Sequence, residues 1–208
     1  MEPFEAIMRR GGSTAIAQAA SFFMGSDPVH QTLRSVTRRL DELGIPYAVC
    51  GGMALVAHGY DRTTEDVDIL VSPEGLRNVH AALEGLGYTA PFAGSKNLRD
   101  AGTGVRIEFL VAGQFPGDGK PKPVAFPDPA NVATDIDGIR YLSLPTLLEL
   151  KLASGMTGGV GRMKDLADVV ELVRALDLPE DFGQKLNAFV REKYREIWQG
   201  LRGPPDPA

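Results

Sequence analysis

The chain is 208 residues long, 43% hydrophobic and 24% charged, which is enough apolar material for a buried core in one domain or a domain with an appendage. Its formal net charge of −5 argues against a non-specific grip on long duplex nucleic acid, where affinity comes from basic contacts to phosphate. The one cysteine, Cys50, excludes an internal disulfide, no histidine–cysteine cluster points to zinc, and its apolar surroundings mark an inert core thiol.

Residues 1–26 read as an N-terminal arm or surface helix. Arg9 and Arg10 precede an apolar-leaning stretch, but Glu2, Glu5, Gln18 and Ser21 are out of place in a signal peptide. No apolar run reaches about 18 residues, so no membrane span is expected and the expected location is cytoplasmic.

Asp27-Pro28 is a helix start, with Val29, Leu33, Val36, Leu40 and Leu43 at helical spacing and Gly44 as the stop. A strand is expected over 46–50, a tight turn at Gly51-Gly52, and a short buried helix over 53–58. A second strand covers 66–71. A helix opens at Ser72-Pro73, with Leu76, Val79, Leu83 and Leu86 facing inward, and Gly87 ends it. A strand over 88–92 and a clearer one over 105–111 come next. Residues 113–129, rich in Pro and Gly, form a long loop. Asp137-Gly138 lies between two apolar segments, a hairpin signal. A helix from Ser143 runs through Lys151, and the four glycines within 155–161 break it. An amphipathic helix covers 162–176, a last helix runs from about residue 180 to 201, and the tail beyond it looks disordered. The pattern implies an α/β (α+β) fold: a small mixed sheet with helices packed on it over 27–143, and a helical C-terminal part with a short tail over 144–208.

Side chains alternate along a strand, so Asp66 and Asp68 share a face while Val67, Ile69 and Val71 take the other. Two carboxylates that close repel unless a cation joins them, and carboxylate oxygens suit a hard divalent ion. The plain alternative is a strand cap at Asp66 and an arginine partner for Asp68. Gly51-Gly52, where a strand meets a helix, offers bare N–H groups to a phosphate, or is an ordinary turn. Glu108 sits in the middle of an apolar strand. It is either a third ligand of the same metal or the partner of Arg106 on the same face. Lys151, Arg162, Lys164, Asp165 and Asp168 flank the glycine-rich break, where an anion could approach.

Gly51-Gly52, thirteen residues, then Asp66-Val67-Asp68 resembles the glycine-pair and Asp-x-Asp motif of the DNA polymerase beta-like nucleotidyltransferase superfamily. The longer run with His58-Gly59 and Arg62-Thr63-Thr64-Glu65, and the later stretch from Arg162 to Val169, are similar to its small bacterial branch of AbiEii-type toxins and minimal nucleotidyltransferases. The resemblance spans roughly residues 45–175. It implies that Asp66, Asp68 and Glu108 hold magnesium, with two ions expected and manganese as the alternative. An aspartate is the usual third acid, so Glu108 is a longer variant. Gly51 and Gly52 would cradle the triphosphate, with backbone N–H groups replacing the serine many members carry second. Arg62 and Thr64 belong to the same nucleotide-binding run. Lys151, with Arg162 and Lys164, would neutralise phosphate, and Asp165 would orient Lys164 or help the acceptor.

The implied reaction moves a nucleoside monophosphate from an NTP, ATP included, to an acceptor hydroxyl and releases pyrophosphate, with Glu108 helping to deprotonate the acceptor. The acceptor is a tRNA or a protein in a toxin–antitoxin-like system with a cognate antitoxin, or a small aminoglycoside-like molecule. A non-catalytic nucleotide-binding or antitoxin-like protein of the same fold is the alternative of a different class. Basic residues of the last helix, Lys185, Arg191, Lys193, Arg195 and Arg202, form a face that is either an RNA contact or a solvated surface. Tyr194 and Trp198 are expected on its inner side, and His58 is expected to pack or cap.

Overall fold

The computed structural model describes residues 3–9 and 11–203. Arg10 and the tail from 204 onward, expected to be disordered, lie outside the described residues.

Two helices, α1 (Phe4–Arg9) and α2 (Gly12–Phe23), precede α3 (Pro28–Glu42). Asp27 caps α3 by accepting from the N–H groups of Val29 and His30, and Val29, Leu33, Val36 and Leu40 are buried. Leu43, fifth in that spacing, is exposed because the helix has ended before it. Strand β1 (Tyr47–Cys50) runs straight into α4 (Gly51–Ala57). The Gly-Gly pair expected to form a turn is therefore the first two residues of a helix, and the chain changes direction at Gly51, whose φ is 59°. Next come β2 (Asp66–Val71) and α5 (Pro73–Leu83), the latter capped by the Ser72 hydroxyl accepting from the Gly75 N–H. Leu86, expected on the inner face of α5, lies beyond its end and is exposed.

Strand β3 (Tyr88–Thr89) is shorter than expected and leaves Phe92 exposed. The three-residue β4 (Leu98–Asp100) has no counterpart in the sequence reading, because Arg99 and Asp100 hide the pattern. Strand β5 (Arg106–Val111) is followed by the long loop, α6 (Pro129–Val132), and the β6 (Ala133–Ile136) and β7 (Ile139–Leu142) hairpin. Its two turn residues, Asp137 and Gly138, both have positive φ, at 53° and 79°, as a two-residue hairpin turn requires.

Helix α7 (Leu144–Thr157) continues through Gly155, where a break was expected. A Cβ at Gly155 would lie 2.5 Å from Leu166 Cγ, so this glycine permits close helix packing rather than ending the helix. The break comes at Gly158 and Gly159, followed by a 3-10 turn (Val160–Arg162) and α8 (Met163–Ala175). The last helix is in two pieces: a 3-10 segment (Glu180–Lys185), then α9 (Ala188–Leu201), capped by the Asn187 side chain. Tyr194 is buried and donates to the Pro179 carbonyl, and Trp198 donates to that of Leu178, so both face inward. Among the described residues no helix is long and apolar enough to cross a membrane.

The seven strands form one mixed sheet in the order β3-β4-β5-β2-β1-β7-β6. Strand β2 lies at its centre, antiparallel to β1 and parallel to β5. Val67, Ile69, Ile107 and Phe109 are fully buried on the face away from the acids. At about 1.5–3 kcal/mol each, their burial fixes the register, because a one-residue slip would carry Asp66 and Asp68 into the core.

Candidate functional site

The register places Asp68 between Cys50 of β1 and Glu108 of β5, and Asp66 opposite Arg106. Asp66, Asp68 and Glu108 each offer a carboxylate oxygen within 4.8 Å of the other two. Glu108 also meets its same-face neighbour: Arg106 Nη2 lies 2.7 Å from Glu108 Oε1 and 3.1 Å from Asp66 Oδ2. The Thr64 hydroxyl donates to Asp66 Oδ1 at 2.9 Å. Burial, with Asp66 and Glu108 adding their charge, pushes the Asp68 carboxyl up to about 7. A donor set of three convergent carboxylates fits a hard divalent cation.

The two glycines have a local reason. A Cβ at Gly51 would sit 1.7 Å from Asp68 Oδ2, and one at Gly52 would sit 2.6 Å from Thr64 Cβ. Glycine therefore lets the start of α4 close onto the acids and keeps its first N–H groups beside them. Cys50 lies beneath, and burial raises its thiol well above the ordinary range.

Beside the acids is a second charged cluster. Lys151 Nζ of α7 donates to Asp165 Oδ1 at 3.0 Å and to Asp168 Oδ2 at 2.7 Å, both on α8. Ser154 donates to Asp165 Oδ2 at 2.7 Å, and Arg62 Nη1 donates to Asp168 Oδ1 at 2.7 Å. Burial works against the Asp165 charge, but Lys151 and the Ser154 hydroxyl outweigh it and hold its pKa below the usual carboxylate value. Lys151, read from sequence as a phosphate ligand, is thus already engaged by two aspartates. Asp165 partners Lys151, Ser154 and, at 3.8 Å, Arg162, where Lys164 was expected. Arg162 and Lys164 are exposed at the mouth.

All of these side chains line one cleft of about 320 Å³, which gathers Gly51, Gly52, Arg62, Thr64, Asp66, Asp68, Glu108, Lys151, Arg162, Lys164 and Asp165. Sequence reasoning missed its far wall, formed by Pro116, Gly117 and Phe126 of the long loop with Leu147 and Leu150 of α7. Lys122 fastens that loop by donating to the Pro116 carbonyl, Asp118 and the Thr157 hydroxyl. The signal present was Gly117, where a Cβ would lie 2.3 Å from Thr157 Oγ1. Several basic residues of the C-terminal part have local partners. Lys193 pairs with Glu196, Arg195 with Glu192, Arg202 with Asp177, and Arg191 donates to the Leu186 carbonyl. His58 bonds the Leu142 carbonyl and ties α4 to β7.

Residues 24–193 match the model of a family described as an uncharacterised nucleotidyltransferase. The antibiotic-resistance factor ANT(2'')-Ia in complex with adenylyl-2''-tobramycin is similar in structure, with a TM-score of 0.50 and 14% identity, over 83% of this chain and 98% of that one. An antigenic nucleotidyltransferase-like protein from Paracoccidioides brasiliensis has a TM-score of 0.48 and 16% identity, over 83% and 91% of the two chains. No curated protein matches in sequence.

Proposed function

The chain belongs to the uncharacterised nucleotidyltransferase family, and on that premise we propose that it transfers a nucleoside monophosphate from an NTP to an acceptor hydroxyl with magnesium bound at Asp66, Asp68 and Glu108. The observation that carries this reading is the convergence of those three carboxylates in a cleft whose other edge is the N-terminus of α4. Manganese satisfies the same oxygen donors. Bound divalent ions would screen the triphosphate and stabilise the pyrophosphate leaving group. The first N–H groups of α4 hold phosphate oxygens, and Arg162 and Lys164 supply positive charge at the mouth. The acceptor oxygen forms the new bond to the α-phosphorus, the bond to pyrophosphate breaks, and the acceptor's proton passes to the Glu108 carboxylate.

For the acceptor, the charge at the mouth supports a phosphate-bearing molecule such as tRNA, with a toxin-like role of the AbiEii type and an antitoxin partner. Asp165 and Asp168 are neutralised by Lys151 and Arg62, which leaves the uncompensated negative charge of the cleft at the three strand acids, where the proposed metal would take it up. The second reading, a small aminoglycoside-like acceptor, has the fold likeness to ANT(2'')-Ia in its favour. Incubation with magnesium, labelled NTPs and each acceptor class tests the proposal. Label should appear on tRNA and disappear in the Asp66→Asn/Asp68→Asn double variant. Undiminished transfer by that variant overturns the mechanism. Growth arrest on expression, relieved by the same variant, supports the toxin role, whereas acquired aminoglycoside resistance supports the second reading.

A further inference from the structure

Five acids and five basic residues line the cleft: Asp66, Asp68, Glu108, Asp165 and Asp168 against Arg62, Arg106, Lys151, Arg162 and Lys164. Lys151 and Arg62 are committed to Asp165 and Asp168. Among the described residues the cation in contact with the strand acids is Arg106, and it meets two of them, Asp66 and Glu108, through a single nitrogen, Nη2, shared between Asp66 Oδ2 and Glu108 Oε1.

We propose that the Arg106 guanidinium and a divalent cation are alternative occupants of the Asp66–Glu108 oxygen pair, so that Arg106 sets the metal affinity of the site. The inference rests on the metal reading above. Ions of the magnesium class bind carboxylate oxygen at about 2.0–2.1 Å and tolerate little distortion of their ligands. An ion held by Asp66 and Glu108 would compete for the space that Nη2 fills, and its charge would repel the guanidinium.

Arg106 is also poorly anchored elsewhere. Its Nε is buried without a hydrogen-bond partner among the described residues. Across the β4–β5 ladder it faces Arg99 directly, a like charge that is itself taken up by Glu5. Cross-strand like charges repel, so the two carboxylates are what hold the guanidinium in place. Its side chain is partly exposed at the edge of the cleft, so it can swing away without unpacking the core. Arg106 thus keeps the acids from repelling one another until an ion arrives, and the released guanidinium then gains an incoming phosphate as partner.

The test is calorimetric titration of the full chain with Mn2+ alone. Arg106→Met keeps the aliphatic stem and removes the competitor, so it should bind the first ion on the order of tenfold more tightly than the parent, while Arg106→Lys should stay near the parent. Equal or weaker binding by a folded Arg106→Met chain overturns the proposal, because Arg106 would then only position the carboxylates. If that variant fails to fold, the parent decides. The Arg106 Nε–H resonance, assigned by its loss in Arg106→Lys, should move as Mg2+ saturates the protein. A fixed resonance while calorimetry registers uptake overturns the proposal. Absence of Mn2+ uptake by both parent and Arg106→Met overturns the metal reading, and this inference with it.

Discussion

Asp68 and Glu108 stand opposite one another across the parallel β2–β5 ladder, and that pairing converts a two-residue pattern on one strand into a three-carboxylate group. The neighbouring pair in the same ladder, Asp66 and Arg106, brings the countercharge.

Gly51→Ala is expected to damage the site more than the fold. The new Cβ would lie 1.7 Å from Asp68 Oδ2, on a backbone with φ of 59°. The strain and displacement should cost about 1–3 kcal/mol in chemical denaturation and remove magnesium-dependent transfer. Full transfer by the alanine variant would show that Asp68 does not need its present position.

Lys151→Met should destabilise the protein by about 3–5 kcal/mol, because it leaves Asp165 and Asp168 buried without their shared cation. Combining it with Asp168→Asn should recover part of that loss in denaturant titrations. Strict additivity of the two changes would mean that the pair is not coupled.

The folded ion-free protein should lose stability as pH rises. The Asp68 carboxyl is raised to about 7 from its ordinary 3.8, so the folded chain holds a proton that the unfolded chain has released. The contribution of this group is fully present below the ordinary value, declines between the two, and is gone above about 7. Magnesium needs the carboxylate, so its affinity should rise with pH through the same interval and its binding should release a proton there. Melting temperatures and calorimetry in buffers of different ionisation heat check both slopes, and Asp68→Asn should flatten them.

Lys122→Met should loosen the loop that walls the cleft. Its ammonium joins Pro116, Asp118 and Thr157. Limited proteolysis should then cut between residues 113 and 122, and the KM for NTP should rise, while Val124, buried in the core, keeps the later part of the loop packed.

The strands carrying the acids were legible because Val67, Ile69, Ile107 and Phe109 alternate with polar residues and dominate their local energetics. The helix starts at Asp27 and Ser72 were legible because capping is a local hydrogen bond. What escaped was set by contacts distant in sequence. Gly155 reads as a helix breaker until Leu166 is seen against it. Lys151 reads as a free cation until Asp165 and Asp168 of the next helix close on it. Arg106 reads in sequence only as a partner for Glu108, since its second bond, to Asp66, depends on strand order.

The most direct measurement uses NTP labelled on the α-phosphate, in parallel with NTP labelled on the γ-phosphate, each incubated with the protein, magnesium and candidate acceptors. Nucleotidyl transfer at Asp66, Asp68 and Glu108 requires the α-label, and never the γ-label, to join the acceptor, with none joining after chelation or in the Asp66→Asn/Asp68→Asn variant. Transfer of the γ-label, or α-label transfer that survives loss of both aspartates, would contradict it.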